Sequence, residues 1–399
     1  MTQGPQENII LDGVLLGKLR AGIEDVFQVD RFETPRQAPQ GTILFIGDLL
    51  MRDSEAAYEL IAQRWLAHDY TPLLRRRDGQ IALIAQPGIV TPKPSNSRIN
   101  LVLAVITLIS VLFTGAIYEC EGCIPTTLAE WWAGIPMMLA LMAILLAHEF
   151  GHYFAAKYHK IAVTLPYFIP LPIISPVGTM GAFIQLRQPF KTKKQLFDIG
   201  VAGPLGGLIF AVPLIFWGVA NSSVQEISRG ENSVLEGNSL FYLAVKFLMH
   251  GQLLPSFERY SDLPFWQEFL RLLAGVLPAG GGTDIFLNSL AFAAWFGLFV
   301  TAMNLLPVGQ LDGGHVIYCL LGEKARWLGL FLVGMMFVLG IFWWTGWLLW
   351  AILVFFVIGP GHPPPLNDLV PLGLPRTLLA YVMIFIFIIL FMPNPLQPL

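Results

Sequence analysis

From about residue 98 to residue 395 the chain alternates long apolar stretches with short polar breaks. Most of these stretches approach the roughly 20 apolar residues that a helix needs to cross a bilayer. The pattern predicts about six to eight transmembrane helices, with seven the best count, at about 98–117, 133–157, 195–219, 285–306, 326–343, 346–360 and 376–393. The turn Trp343-Trp344-Thr345-Gly346 separates the fifth from the sixth, and one long kinked helix is the alternative there. Residues 1–86 follow another pattern. Gly41 to Gly47 reads as a short buried strand. Ser54 to His68 carries Ala57, Leu60, Ile61 and Trp65 at helical spacing, with Ser54 as N-cap. Thr71–Leu74 and Ile81–Ala85, divided by Asp78-Gly79, read as a hairpin. This predicts a small soluble α/β accessory domain over 1–86, a Pro-rich linker over 87–97 and a membrane core over 98–395.

Composition supports the membrane class. The chain is 55% hydrophobic and 13% charged, against about 25% charged in soluble domains. A net charge of -3 offers no basic field for nucleic acid. The first residues, MTQGPQENII, do not read as a signal peptide. Basic residues flank the first span on its amino side (Arg75 to Arg77, Lys93, Arg98) and recur between the second and third (Lys157, Lys160, Arg187, Lys191, Lys193, Lys194). The 118–131 loop holds Glu119, Glu121 and Glu130 and no Lys or Arg. The positive-inside rule then places the amino terminus in the cytoplasm and residues 220–284 outside. That long segment carries a weakly amphipathic stretch, Leu263–Leu277, and no domain signature.

One apolar stretch ends in chemistry. Ala133 to Ala147 carries no charge, and His148-Glu149-Phe150-Gly151-His152 follows directly. Ionisable groups inside a span are costly and mark function by default. Residues four apart on a helix differ by about 40° in azimuth and about 6 Å in height, so both histidines face one ion. Glu149 sits beside that ion, the place of a general base acting on water. Catalytic zinc takes three protein ligands. The third is expected at similar depth on another segment. The end of the fourth span, Asn304 to His315 (NLLPVGQLDGGH), combines an acid, an amide and a histidine with helix breakers. Asp312 is the natural third ligand.

HEFGH followed by NLLPVGQLDGGH resembles the site-2 protease family of intramembrane zinc metalloproteases, peptidase family M50. The family's second motif, Asn-x-x-Pro-x-x-x-Leu-Asp-Gly, is matched by Asn304, Pro307, Leu311, Asp312 and Gly313. The resemblance implies one catalytic zinc ion held by His148, His152 and Asp312. It makes Glu149 the residue that activates water, and Asn304 a stabiliser of substrate or oxyanion. The Pro176 to Ile184 segment resembles the family's membrane-re-entrant β-hairpin, which makes Gly178, Thr179, Met180 and Gly181, with Asn304, the expected substrate contacts. Ala202 to Gly207 resembles the family's Gly-Pro segment, and close helix packing through small residues is the reading favoured here. No PDZ-like insertion is recognisable. The layout looks more like the branch that includes the plant plastid ethylene-dependent gravitropism-deficient and yellow-green proteins.

The implied activity is cleavage of the transmembrane helix of a membrane-protein substrate within the lipid bilayer. Two rivals differ in class. A metal-ion transporter needs acidic or His residues along several spans, which this chain nearly lacks. A non-proteolytic scaffold has no need of Glu149. His315 is either a hydrogen-bond donor behind the metal site or a packing histidine. His68, His159, His250 and His362 read as solvated or interfacial. Cys120-x-x-Cys123 permits a local disulfide, a redox switch or an accessory metal site, and Cys319 reads as a packing residue.

Overall fold

The computed structural model describes residues 13–35, 38–91, 96–227, 234–256, 263–275 and 282–398. The chain divides into two compact units.

The first unit contains α1 (Gly13–Ala21), β1 (Phe27–Glu33), β2 (Ile43–Leu49), α2 (Ser54–Leu66), β3 (Tyr70–Arg77) and β4 (Gln80–Pro87). The strands form one antiparallel sheet in the order β1-β2-β4-β3. Asp78 and Gly79, at φ of 50° and 86°, make the tight turn between β3 and β4, a geometry suited to the twist of a hairpin. The N-cap of α2 is Asp53, not Ser54: Asp53 is extended, and its carboxylate accepts the Glu55 N–H at 2.9 Å. Ala57, Ile61 and Trp65 are fully buried against Phe45, Leu19 and Ile23, while Leu60 of the expected apolar face is exposed.

Two further segments belong to this unit, 187–196 and 364–373. The backbone of Leu74 in β3 exchanges hydrogen bonds with Leu366 and Asp368, at 2.8 and 3.0 Å. Leu366 and Asn367 donate in turn to the carbonyls of Phe190 and Lys191. Two segments distant in sequence thereby continue the hydrogen-bonded layer beyond β3. The reading of 1–86 as the whole accessory domain did not include them.

The second unit is helical. It runs through α3 (Ser97–Glu119), α4 (Leu128–Ala133), α5 (Ile135–Tyr158), β5 (Tyr167–Pro170), β6 (Thr179–Phe183), α6 (Lys193–Ala220, whose first turn lies in the other unit), β7 (Ser223–Glu226), β8 (Val234–Glu236), α7 (Leu240–His250) and α8 (Phe265–Ala274). It continues through β9 (Thr283–Phe286), α9 (Ser289–Asn304), α10 (Asp312–Leu321), α11 (Ala325–Phe342), α12 (Gly346–Ile352, prolonged by a π-helical turn to Ile358), α13 (Leu374–Leu390) and β10 (Leu396–Pro398). Among the described residues, four helices or helix pairs are long and apolar enough to cross a membrane: 97–119, 128–158, 193–220 and 312–342. Shorter apolar helices are α7, α9, α12 with its π turn, and α13.

The segment read as lacking a domain signature is structured. β7 pairs with β9, and β8 pairs with β10 at the far end of the chain. The Leu263–Leu277 stretch contains α8, with Val276 and Leu277 outside the described residues. Lys246 of α7 is fully buried between Asp284 (3.0 Å) and Glu236 (3.4 Å), and Tyr242 donates to Glu236 at 2.8 Å.

Candidate metal centre

The HEFGH segment lies in the second half of α5, whose preceding turns pack Met137, Ala140, Leu141, Ile144 and Leu145 into the helical core. His148, Glu149 and His152 are 4%, 4% and 8% exposed, so each needs a partner inside the protein. The helical repeat brings His148 Nε2 and His152 Nε2 to 3.2 Å of each other. Asp312 reaches them from α10. Its Oδ2 lies 3.3 Å from His148 Nε2 and its Oδ1 3.3 Å from His152 Nε2.

Asp312 opens α10 directly after the irregular stretch 305–311. That turn demands glycine behind the aspartate. A Cβ on Gly313 would lie 1.9 Å from the Leu305 carbonyl oxygen. Asn304 ends α9 just before the same turn, and its Nδ2 lies 3.3 Å from His148 Nε2. The sequence-predicted metal set and Asn304 therefore meet at one point.

Several groups that complete the site carried no signal of their own in the sequence. His152 donates from Nδ1 to the Ile199 carbonyl of α6 at 2.7 Å. That bond fixes the ring and leaves the Nε2 lone pair facing His148 and Asp312. Alpha-helix α6 approaches closely enough to make this contact because it is glycine-rich there. A Cβ on Gly203 would sit 2.0 Å from His152 Nε2, and one on Gly151 would sit 2.3 Å from the Ala202 carbonyl oxygen. The small residues of the 202–207 segment thus act as a packing surface under the site. Ile184, just past β6, lines the same cavity as Glu149. Glu149 Oε2 is buried with no hydrogen-bond partner among the described residues.

The hairpin residues divide. Thr179, Met180 and Gly181 line a cavity that also borders His148, Glu149 and Asn304. Gly178 does not line it. Its carbonyl accepts from Ser110 of α3, and a Cβ there would lie 2.6 Å from the Ser110 carbonyl oxygen, so Gly178 is a packing residue.

The other histidines are mostly engaged. His315 lines the cavity of the metal centre and pairs through Nδ1 with His362 Nε2 at 2.6 Å. His362, expected to be solvated, lies instead against the Tyr318 ring at 4.9 Å. His159 lies 2.9 Å from Asp198, whose carboxylate also accepts two bonds from Arg376. His250 contacts the Val219 carbonyl at 2.9 Å. Both pairings arise from chain segments distant in sequence, which is why local polarity read them as solvated. Cys120 and Cys123 form a disulfide, and Cys319 is buried.

His148, His152 and Asp312 offer ligand atoms all within 4.8 Å of one another, the one such group of three among the described residues. Two neutral imidazoles and a carboxylate form a donor set of catalytic zinc, which leaves a further position open. The unpartnered Glu149 oxygen beside that set fits the same assignment, since it has a water to act on only if something holds one there.

Residues 136–340 match the family model of peptidase family M50. The chain belongs to that family, and with its long apolar helices it is an integral membrane protein. It is similar to the probable zinc metalloprotease EGY1, chloroplastic, of Oryza sativa subsp. japonica, with 29% identity over 65% of this chain and 41% of that protein. The probable zinc metalloprotease EGY2, chloroplastic, of Oryza sativa subsp. indica is 24% identical over 94% of this chain and 66% of that protein. The probable zinc metallopeptidase EGY3, chloroplastic, of Arabidopsis thaliana is 26% identical over 65% of this chain and 43% of that protein. The chain spans less than half the length of the EGY1 relatives it matches. No solved structure matches it significantly.

Proposed function

We propose that this chain is an intramembrane zinc metalloendopeptidase that cleaves the transmembrane segment of a membrane-protein substrate. One observation carries the reading: three ligand atoms converge inside apolar helices, and a buried, unpartnered carboxylate oxygen stands beside them. Family membership and the names of the relatives support it.

His148, His152 and Asp312 would hold the zinc ion. When bound, zinc supplies a Lewis acid and lowers the pKa of water toward about 7. Glu149 takes the proton of the attacking water on its free oxygen and returns it to the leaving amine. Asn304 donates from its amide to the developing oxyanion or to the substrate backbone. Ile199 keeps the His152 ring in its ligating tautomer.

A transmembrane helix hides its peptide bonds in its own hydrogen bonds, so the substrate must unwind before attack. β6 belongs to a two-stranded sheet with β5. Its second edge is where an unwound segment would add as a strand. In this reading the β5–β6 hairpin is re-entrant, α9, α12 and α13 complete seven crossings with the four long helices, and the amino terminus is cytoplasmic.

The test uses the full chain reconstituted with a transmembrane substrate. Glu149→Gln retains zinc and loses cleavage, whereas Asp312→Ala loses zinc. Cleavage that persists in Glu149→Gln would sink the assignment of the base.

A further inference from the structure

A second cavity opens directly onto the catalytic groups. It measures about 270 Å³ and borders His148, Glu149 and Asn304 at one end. Its walls are Leu145 of α5, Phe296, Phe299, Val300 and Met303 of α9, and Trp350 of α12. The α9 residues repeat at three- and four-residue spacing, so they form one face of that helix. The face runs along the helix to Asn304. Thr179, Met180 and Gly181 of β6 border the cavity as well. A substrate strand laid along β6 would therefore send alternate side chains toward it.

We infer that this cavity is the specificity pocket for a bulky apolar side chain, aromatic or long aliphatic, on a residue flanking the scissile bond. The inference rests on the proteolytic reading above and adds the substrate feature that the site selects. Size supports it: an apolar cavity of about 150 Å³ already accepts benzene, and this one is larger. Its lining supports it too. Aromatic and aliphatic walls offer a charged or hydrogen-bonding side chain little compensation for lost water. Continuity with the metal centre supplies the occupant, because a side chain entering here belongs to a peptide already lying beside Glu149 and Asn304. Trp350 comes from α12, outside the residues 136–340 that match the family model.

The experiment uses the full chain reconstituted in phosphatidylcholine vesicles. Its substrates are a series of transmembrane segments in which the residue on each side of the mapped scissile bond is Phe, Leu, Ala or Asp in turn. At one of the two positions, wild type is expected to favour Phe and Leu over Ala by at least about tenfold in kcat/KM, the scale on which a hydrophobic pocket discriminates by one methylene or more. Val300→Trp, which fills the cavity, should bring the ratio of kcat/KM for the Phe and Ala substrates to about one while zinc content stays unchanged. Phe299→Ala, which enlarges the cavity, should shift the preference toward the larger side chain. If Val300→Trp does not fold, Phe299→Ala decides. Cleavage by wild type with a flat profile at both positions, or a preference unchanged in the variants, overturns this inference alone. Failure of zinc-loaded wild type to cleave any member overturns the proteolytic reading, and this inference with it.

Discussion

Gly203 has no side chain to offer, and the metal centre depends on that. The space a methyl group would take is occupied by the His152 ring, 2.0 Å from the added carbon. Contact with a ring in a close-packed interior cannot be relieved by a flexible chain end. Gly203→Ala is therefore expected to displace His152 from Ile199 and Asp312. Zinc content of the purified variant should fall well below one ion per chain although no ligand is altered. A variant with full zinc would show that α6 can retreat without cost. The proposed ligands and the proposed base stood out as candidates in the sequence because two of the histidines and Glu149 lie close together on one helix. Gly203 and the Ile199 carbonyl were not legible in their roles. Their chemistry is that of backbone and empty space, which no residue pattern spells out.

At the scale of elements, apolar periodicity located most helices to within a few residues, and the Asp78-Gly79 turn located the β3–β4 hairpin. It did not foresee that 187–196 and 364–373 would join the sheet-bearing unit. Those segments are short, and their hydrogen bonds are long-range: 364–373 bonds to β3, and 187–196 bonds in turn to 364–373. Asn367 holds the junction. It is fully buried, donates to the Ser54 carbonyl at 2.8 Å and accepts from the Leu369 N–H. Asn367→Ala leaves buried backbone groups without partners, a loss of about 1–3 kcal/mol. Hydrogen exchange should quicken at the amides of Leu366, Asn367 and Leu369, and proteolysis within 364–373 should become easier. Unchanged protection would mean that the strand contacts alone suffice.

Across the whole molecule, Lys246 is the residue whose burial is least suggested by local sequence. It stands in an apolar helix, yet it is enclosed by Glu236 of β8 and Asp284 of β9. It thus ties α7 to two separate strand pairs, one of which ends at β10 near the carboxyl end of the chain. Removing the ammonium leaves two carboxylates facing each other in a buried place, and breaking a buried pair in this way costs about 3–5 kcal/mol. Lys246→Met should lower the thermal midpoint clearly while leaving zinc content of the surviving folded fraction unchanged. A midpoint equal to that of wild type would show that the carboxylates take up protons or water without penalty.

The division of labour between sequence and tertiary structure follows from range. Length and polarity of the apolar stretches, the His148–His152 repeat, and Asp312 within a helix-breaking segment are local patterns. They sufficed to predict a membrane protein with a metal site, because the cost of polar groups in an apolar helix is itself local. Tertiary packing decided what lies between those patterns: which carbonyl orients His152, which glycines let α6 approach, which hairpin residues face the cavity and which, like Gly178, pack against α3 instead. These depend on surfaces brought together from distant positions, and a surface exists only once both sides have folded.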